Sequence, residues 1–293
     1  MTTSIPRRDL LRAAAAFGTL PLLAGCGSVA AFNAVIPADA PAGPVTTDVA
    51  YGPDPRQKLD IYAAGTAGRS PTAVFVYGGS WDNGDRQSYS FVGRALAARG
   101  ITTLVPDYRL VPQVRYPDFI VDVASALRWA EENAAAHGGD PRQIVLIGHS
   151  AGAYNAVMVA LAPEIRAAAG YRMRGLRGVV GLAGPYDFLP LDTGVTKAAF
   201  GQWPKLAETQ PVNRSAAGSP PMFLATGDAD TTVYPRNTTA LVAHLRRAGR
   251  PVVEKIYPGI GHAGILTSFA KPFRDRAPVL DDVVAFVKAP SVA

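Results

Sequence analysis

The stretch IVLIGHSAG at residues 144–152 decides the fold prediction. Its first four residues form a short apolar run, which is typical of a strand buried on both faces of a parallel sheet. The run leads into GHSAG at 148–152, a G-x-S-x-G pattern, and an alanine-rich helical stretch follows. A serine on such a turn between strand and helix sits where the helix dipole favours developing negative charge. The sequence therefore predicts Ser150 as a nucleophile, the alternative being a structural glycine turn.

Strands and helices alternate along the rest of the chain. Further strands are predicted by apolar runs at 73–77, 101–105, 178–182, 222–225 and 252–256, and edge strands by alternating patterns at 45–51 and 58–62. Apolar residues recur every three or four positions from Tyr116 to Ala130, as on one face of a helix. This order predicts an α/β fold with a mostly parallel central sheet and helices on both faces. Functional residues are then expected beyond the carboxyl ends of the strands.

Two glycine-rich loops after late strands carry candidate partners for Ser150. A serine needs a base to take its proton, and the base in turn needs an orienting acid. His262 lies in GIGHAG at 259–264 and is the predicted base, whereas the other three histidines have structural interpretations. The acid is predicted in GDADTTV at 227–233, where Asp228 and Asp230 both compete for the role.

The segment YGGSW at residues 77–81 follows the predicted strand at 73–76. Small residues at this place allow backbone N–H groups to approach a substrate oxygen. We predict an oxyanion hole formed by the N–H groups of Gly79, Ser80 and Ala151, the alternative being a simple glycine turn. Loss of one such donor costs on the order of a hundred- to a thousandfold in rate in known enzymes.

Taken together, residues 73–288 resemble the α/β-hydrolase superfamily, in particular its carboxylesterase and feruloyl-esterase-like branch. Besides the elbow and the two loops, the resemblance is carried by YGGSWDNGD at 77–85, PDYRL at 106–110 and YPDFIVD at 116–122. It implies a serine esterase that cleaves carboxylic esters through an acyl-enzyme. The family's G-x-x-D-x-x-V spacing implies Asp230 as the acid. Tyr77 stands where the family more often has histidine.

The longest stretch without a clear strand, Gly184 to Ser219, predicts a small cap insertion over the site. It contains the aromatic residues Tyr186, Phe188, Phe200 and Trp203. Ligand pockets are lined mainly by apolar and aromatic side chains, so we expect Trp81 and Tyr186 to contact the substrate. The alternative is that these aromatic residues belong to the ordinary core.

The N-terminus has the features of an export signal. Arginines at 7, 8 and 12 precede an apolar run at 13–24, which is too short for a membrane-spanning helix. SIPRRDLL at 4–11 resembles a twin-arginine signal, and LAGC at 23–26 resembles a bacterial lipobox with Cys26 as the lipidated residue. We predict a signal peptide with lipobox at 1–26, a flexible tether at 27–44 and a catalytic domain at 45–293. The protein is then an exported lipoprotein of the bacterial envelope, anchored in the membrane through Cys26.

Composition excludes several other classes of protein. Cys26 is the single cysteine, so neither an intramolecular disulfide nor a cysteine-based metal site is possible. The net charge is +6, but the arginines are scattered and no nucleic-acid-binding module is present. No metal or organic cofactor is implied, and the expected partners are a small-molecule ester and the membrane. The alternatives are an amide-cleaving enzyme of arylformamidase or peptidase type with the same triad, and a non-catalytic binding lipoprotein.

Overall fold

The computed structural model has an eight-stranded sheet at its centre. It describes residues 26–65 and 69–289, and of residues 26–28 it describes only the backbone. The strands are β1 (Val45–Ala50), β2 (Lys58–Tyr62), β3 (Ser70–Val76), β4 (Thr102–Pro106), β5 (Gly139–His149), β6 (Leu176–Leu182), β7 (Met222–Gly227) and β8 (Val252–Tyr257). Their spatial order is β1-β2-β4-β3-β5-β6-β7-β8. β2 pairs antiparallel with both β1 and β4, whereas all other neighbours are parallel. The mostly parallel sheet with antiparallel edge strands is therefore confirmed.

Helices connect and cover these strands. In the described residues they are α1 (Cys26–Val35), α2 (Ser90–Ala97), α3 (Asp118–Asn133), α4 (Ala151–Leu161), α5 (Pro163–Ala168), α6 (Gly194–Phe200), α7 (Arg236–Arg247), α8 (His262–Thr267) and α9 (Val279–Lys288). Short 3₁₀ turns occur at Gln87–Tyr89, Ala134–His137, Leu206–Thr209, Pro211–Asn213 and Lys271–Arg276. The apolar face predicted from Tyr116 to Ala130 lies on α3, where Ile120, Val123 and Leu127 are fully buried.

The core lies around the central strands β3 and β5. Val74, Phe75 and Val76 of β3 and Leu146 and Ile147 of β5 are completely buried, as expected for strands covered on both faces. Val76 pairs with Gly148, so β3 and β5 end side by side. The loops that follow these two strands therefore start from neighbouring points at one edge of the sheet.

Within the segment at 27–44, predicted as a flexible tether, α1 contacts the domain. The Phe32 ring of α1 lies 5.4 Å from the Phe91 ring and 5.8 Å from the Phe273 ring. Asn33 accepts one hydrogen bond from the Ser90 side chain and donates another to the Gln87 carbonyl. These apolar and polar partners hold α1 on the domain instead of leaving it as a free linker.

Asp39 extends this attachment beyond α1. It is largely buried and pairs with the Arg274 guanidinium. Of the predicted signal peptide at 1–26, residues 1–25 and the side chain of Cys26 lie outside the described residues. Within the part that is described, no helix has the length and apolar character needed to cross a membrane.

Candidate active site

Ser150 occupies a sharp turn between β5, which ends at His149, and α4, which begins at Ala151. Its backbone has φ 55° and ψ −124°, a left-handed conformation that is strained for a residue with a side chain. The flanking glycines are needed for close packing. A Cβ at Gly148 would lie 2.3 Å from the Gly152 carbonyl oxygen, and one at Gly152 would lie 2.1 Å from the Val76 carbonyl oxygen.

The structure brings Ser150, His262 and Asp230 into one chain of hydrogen bonds. The Ser150 Oγ lies 2.9 Å from the Nε2 of His262, and the His262 Nδ1 lies 2.8 Å from the Oδ2 of Asp230. His262 is the first residue of α8, and Asp230 lies in the loop between β7 and α7. The Asp230 side chain is fully buried, whereas 18% of the His262 side chain is exposed. The arrangement suits proton transfer from a serine to an imidazole that a carboxylate orients.

Hydrogen bonds hold Asp230 in its charged form. Burial on its own raises the pKa of Asp230, but the hydrogen bond to His262 and the backbone N–H groups of Thr232 and Val233 bring the pKa below its ordinary value. The two amides donate to Oδ1 at 2.9 and 2.8 Å, which leaves Oδ2 for His262. A carboxylate fixed in this way can stabilise an imidazolium beside it.

Asp228, the competing acid, points elsewhere. Its side chain is exposed, and its Oδ1 accepts a hydrogen bond of 2.6 Å from the Gly259 amide. It therefore joins the loop after β7 to the loop after β8. Of the two candidate acids, the structure places Asp230 against His262.

His149 lies beside His262, a neighbour that the sequence pattern did not reveal. The two rings are 5.0 Å apart between centroids, and the His149 Nε2 lies 3.2 Å from the His262 carbonyl oxygen. Burial, followed by the nearby His262, lowers the pKa of His149 to about 3. The ring is therefore neutral at ordinary pH and donates its Nε2–H to that carbonyl. Only its position directly before Ser150 in the G-x-S-x-G pattern hinted at this contact.

The loop after β3 passes directly against the nucleophile. A Cβ at Gly78 would lie 2.8 Å from the Ser150 Cβ. Gly79, Ser80 and Trp81 follow with φ values of 121°, 52° and 64°. Among the described residues, the backbone N–H groups of Gly79 and Ser80 donate no hydrogen bond. Ala151 begins α4, and a helix leaves its first N–H groups without intrahelical partners. These three predicted donors thus lie on segments that adjoin Ser150.

A buried charged network supports this loop from behind. The Tyr77 hydroxyl donates to Asp107 Oδ1 at 2.7 Å, and the backbone N–H of Arg86 donates to the same oxygen at 2.7 Å. The Arg86 guanidinium pairs with Asp107 and Asp60. Burial, and secondarily the nearby Asp107, raises the pKa of Tyr77 well above its ordinary value. Sequence reasoning missed Arg86, which directly follows the motif at 77–85.

The two residues predicted to contact the substrate are mainly core residues. Trp81 is only 3% exposed, and its ring packs edge-on against Phe200 at 4.8 Å and Tyr154 at 5.3 Å. Tyr186 is completely buried, and a Cβ at Gly181 would lie 2.1 Å from its hydroxyl oxygen. The prediction that Tyr186 contacts substrate is therefore wrong, because it presents no surface to a ligand. Of the aromatic residues in the insertion, Tyr186 and Phe200 thus belong to the core.

Within residues 26–65 and 69–289, no cluster of three or more His, Cys, Asp or Glu side chains is arranged to hold a metal ion.

Comparisons with known proteins agree with this fold. The family model of BD-FAE matches residues 59–245. A probable isoprenylcysteine alpha-carbonyl methylesterase of Oryza sativa is 29% identical over 267 residues, which are 83% of this chain and 62% of the relative. Esterase LipC of Mycobacterium tuberculosis is 31% identical over 236 residues, 73% of this chain and 58% of the relative. The chain thus spans about three fifths of the length of these two relatives.

Solved structures show the same architecture. Esterase B from Lactobacillus rhamnosis superimposes with a TM-score of 0.76 at 19% identity, covering 96% of this chain and 95% of the esterase. A structure of an arylesterase gives a TM-score of 0.74 at 19% identity and covers 96% of this chain and 97% of that one. The predicted α/β-hydrolase fold is therefore confirmed.

Proposed function

The chain belongs to the BD-FAE family, and on that premise we propose that it is a carboxylic ester hydrolase that forms an acyl-enzyme on Ser150. One observation carries the proposal: His262 lies within hydrogen-bond distance of Ser150 Oγ on one side and of Asp230 on the other. The relatives named methylesterase and esterase favour an ester as the substrate over an amide.

In the first half of the reaction, Ser150 Oγ attacks the carbonyl carbon of the ester. His262 Nε2 takes the hydroxyl proton, and Asp230 stabilises the imidazolium that forms. When the tetrahedral intermediate collapses, the bond to the alcohol oxygen breaks. The imidazolium gives its proton to this leaving group, and the acyl group stays on Ser150.

In the second half, water replaces the alcohol. His262 takes a proton from the water as its oxygen attacks the acyl carbonyl, and then returns the proton to Ser150 Oγ as the acid leaves. In both halves the carbonyl oxygen becomes negative. The N–H groups of Gly79, Ser80 and Ala151 are the proposed donors to it, assisted by the positive end of the α4 dipole.

We also propose that the protein is exported and anchored through lipid on Cys26, which follows the apolar run at 13–24. The support for this is the sequence at 1–26 alone. The catalytic proposal does not depend on it.

The test of the catalytic proposal is Ser150→Ala, with Ser125→Ala on α3 as the matched serine control. Ser125 donates to the Val121 carbonyl within its own helix, away from the elbow. We expect Ser150→Ala to lose p-nitrophenyl ester hydrolysis and labelling by a fluorophosphonate probe, while Ser125→Ala keeps both. Residual turnover within tenfold of wild type in Ser150→Ala contradicts the assignment. Faster cleavage of a formyl-anilide than of the matched ester favours the amide-cleaving alternative.

A further inference from the structure

The loop that carries the proposed oxyanion donors is held in an unfavourable backbone conformation. Gly79, Ser80 and Trp81 all have positive φ, and two of them are not glycine. Such residues cost free energy and persist only where surrounding contacts hold them. Besides the amides of Asp82 and Asn83, which donate to the Gly79 carbonyl, the contacts of Trp81 hold this loop in place.

Trp81 is fixed at its backbone and at its ring. Its carbonyl accepts a hydrogen bond from the Val111 amide at 2.9 Å. Its indole Nε1–H donates to the side-chain oxygen of Asn155 at 3.1 Å, across 74 residues of sequence. Among the contacts of the ring, this hydrogen bond is the directional one, because the contacts with Phe200 and Tyr154 are apolar.

Asn155 lies on α4, the helix that starts directly after Ser150. It is completely buried, and among the described residues its Nδ2 has no hydrogen-bond partner. A buried polar group without a partner costs the free energy of its lost hydration. Packing alone would be served better by an apolar side chain here. The amide thus indicates a role for its oxygen, whose partner is Trp81.

We propose that Asn155 is a positioning residue that sets the oxyanion loop against the nucleophile helix through the Trp81 indole. The inference rests on the proposed function. Asn155 contacts neither the reacting atoms nor a ligand. Because it shares α4 with Ala151, its bond to Trp81 fixes the donors of the loop relative to the donor of the helix.

The test measures kcat, KM and thermal midpoint on one p-nitrophenyl ester for Asn155→Leu, Trp81→Phe and the double variant. Each single change removes the same hydrogen bond, and the phenylalanine keeps an aromatic ring beside Phe200 and Tyr154. We expect each to lower kcat about ten- to a hundredfold, with KM within twofold of wild type. This loss of rate is no larger than the loss on removing a whole oxyanion donor. The double variant should be no slower than the slower single variant, because the bond can be lost only once.

Two further variants separate positioning from folding. Trp129→Phe, on α3, is the matched tryptophan control, and we expect its kcat to stay within twofold of wild type. Asn155→Asp keeps the acceptor oxygen in a site where burial favours the neutral carboxyl, and we expect kcat within about threefold of wild type at pH 7. If Asn155→Leu does not fold, Trp81→Phe and Asn155→Asp decide the question.

Additive losses in the double variant, or lower thermal midpoints with unchanged kcat, overturn the role of Asn155. Either result leaves the hydrolase proposal intact, provided that wild-type turnover still requires Ser150. Turnover that survives Ser150→Ala removes the hydrolase proposal itself. The two failures are therefore distinguishable.

Discussion

The Asp228 carboxylate accepts a hydrogen bond of 2.6 Å from the Gly259 amide and so ties together the two loops that carry Asp230 and His262. Asp228 and Asp230 are two residues apart, yet one links the loops and the other contacts the imidazole. The two carboxylates are thus expected to respond differently to the same substitution.

We predict that Asp230→Asn lowers kcat by several orders of magnitude with little change in KM. Asparagine keeps the shape but favours the wrong imidazole tautomer, which costs ~10⁴ in kcat in a known serine protease. Asp228→Asn should lose less than roughly tenfold in kcat and about 1 kcal/mol of stability, since it weakens one loop hydrogen bond. Steady-state kinetics with one activated ester compare the two variants. A slower Asp228→Asn enzyme requires the two roles to be exchanged.

The buried network behind the oxyanion loop yields a prediction about stability. Arg86→Met removes the cation that pairs with the buried carboxylates of Asp60 and Asp107, and loss of one partner of a buried ion pair costs about 3–5 kcal/mol. The matched control is Arg99→Met, which removes an exposed pair with Asp281 and should cost at most about 1 kcal/mol. Urea unfolding of both variants gives the comparison. Equal losses mean that the network contributes no more than a surface ion pair.

Lipidation is tested at Cys26. We expect the full-length protein, expressed in a bacterial host with lipoprotein processing, to partition into the detergent phase. Cys26→Ser should appear as uncleaved precursor or in the aqueous phase, because the lipid is attached to the cysteine sulfur. Phase partitioning and the mass of the mature N-terminus are the measurements. Equal partitioning of the two proteins removes the lipoprotein proposal.

The features that could be predicted from the sequence are those set by short stretches of chain. The apolar run at 144–147 and the glycines around Ser150 specify strand, turn and helix locally, and the loops of Asp230 and His262 follow strand ends that meet at one edge of the sheet. The choice between Asp228 and Asp230 as the acid is not specified by a short stretch of chain. Both follow the same strand, so the choice rests on the greater depth of Asp230 in the loop and on the resemblance, and the distance to His262 supports it.

The features that could not be predicted depend on contacts between distant segments. Asn155 has no local signal in an alanine-rich helix, because its partner Trp81 is 74 residues away. The burial of Tyr186 depends on the close approach of Gly181, which no pattern in the insertion encodes. The packing of α1 depends likewise on Phe91 and Phe273, far along the chain.

The last prediction concerns the effect of His149 on stability at acid pH. Burial lowers its pKa to about 3 in the folded protein, whereas an unfolded histidine titrates near ~6.5. Between these values the unfolded chain binds a proton that the folded chain does not, so stability falls as the pH falls from about 6.5 toward 3. The slope approaches about 1.4 kcal/mol per pH unit.

His149→Asn removes this titration, so its stability should fall less steeply with acid than that of wild type. Between pH 6.5 and 4.5 wild type should lose about 2 kcal/mol more than the variant. Urea unfolding at half-unit steps of pH measures the difference in the free energy of unfolding. The control is His137→Asn, which removes an imidazole that is partly exposed. Parallel stability curves for wild type and His149→Asn contradict a buried neutral ring. Curves that converge toward acid pH support it, because a ring with a lowered pKa in the folded state makes stability fall as the unfolded chain gains its proton.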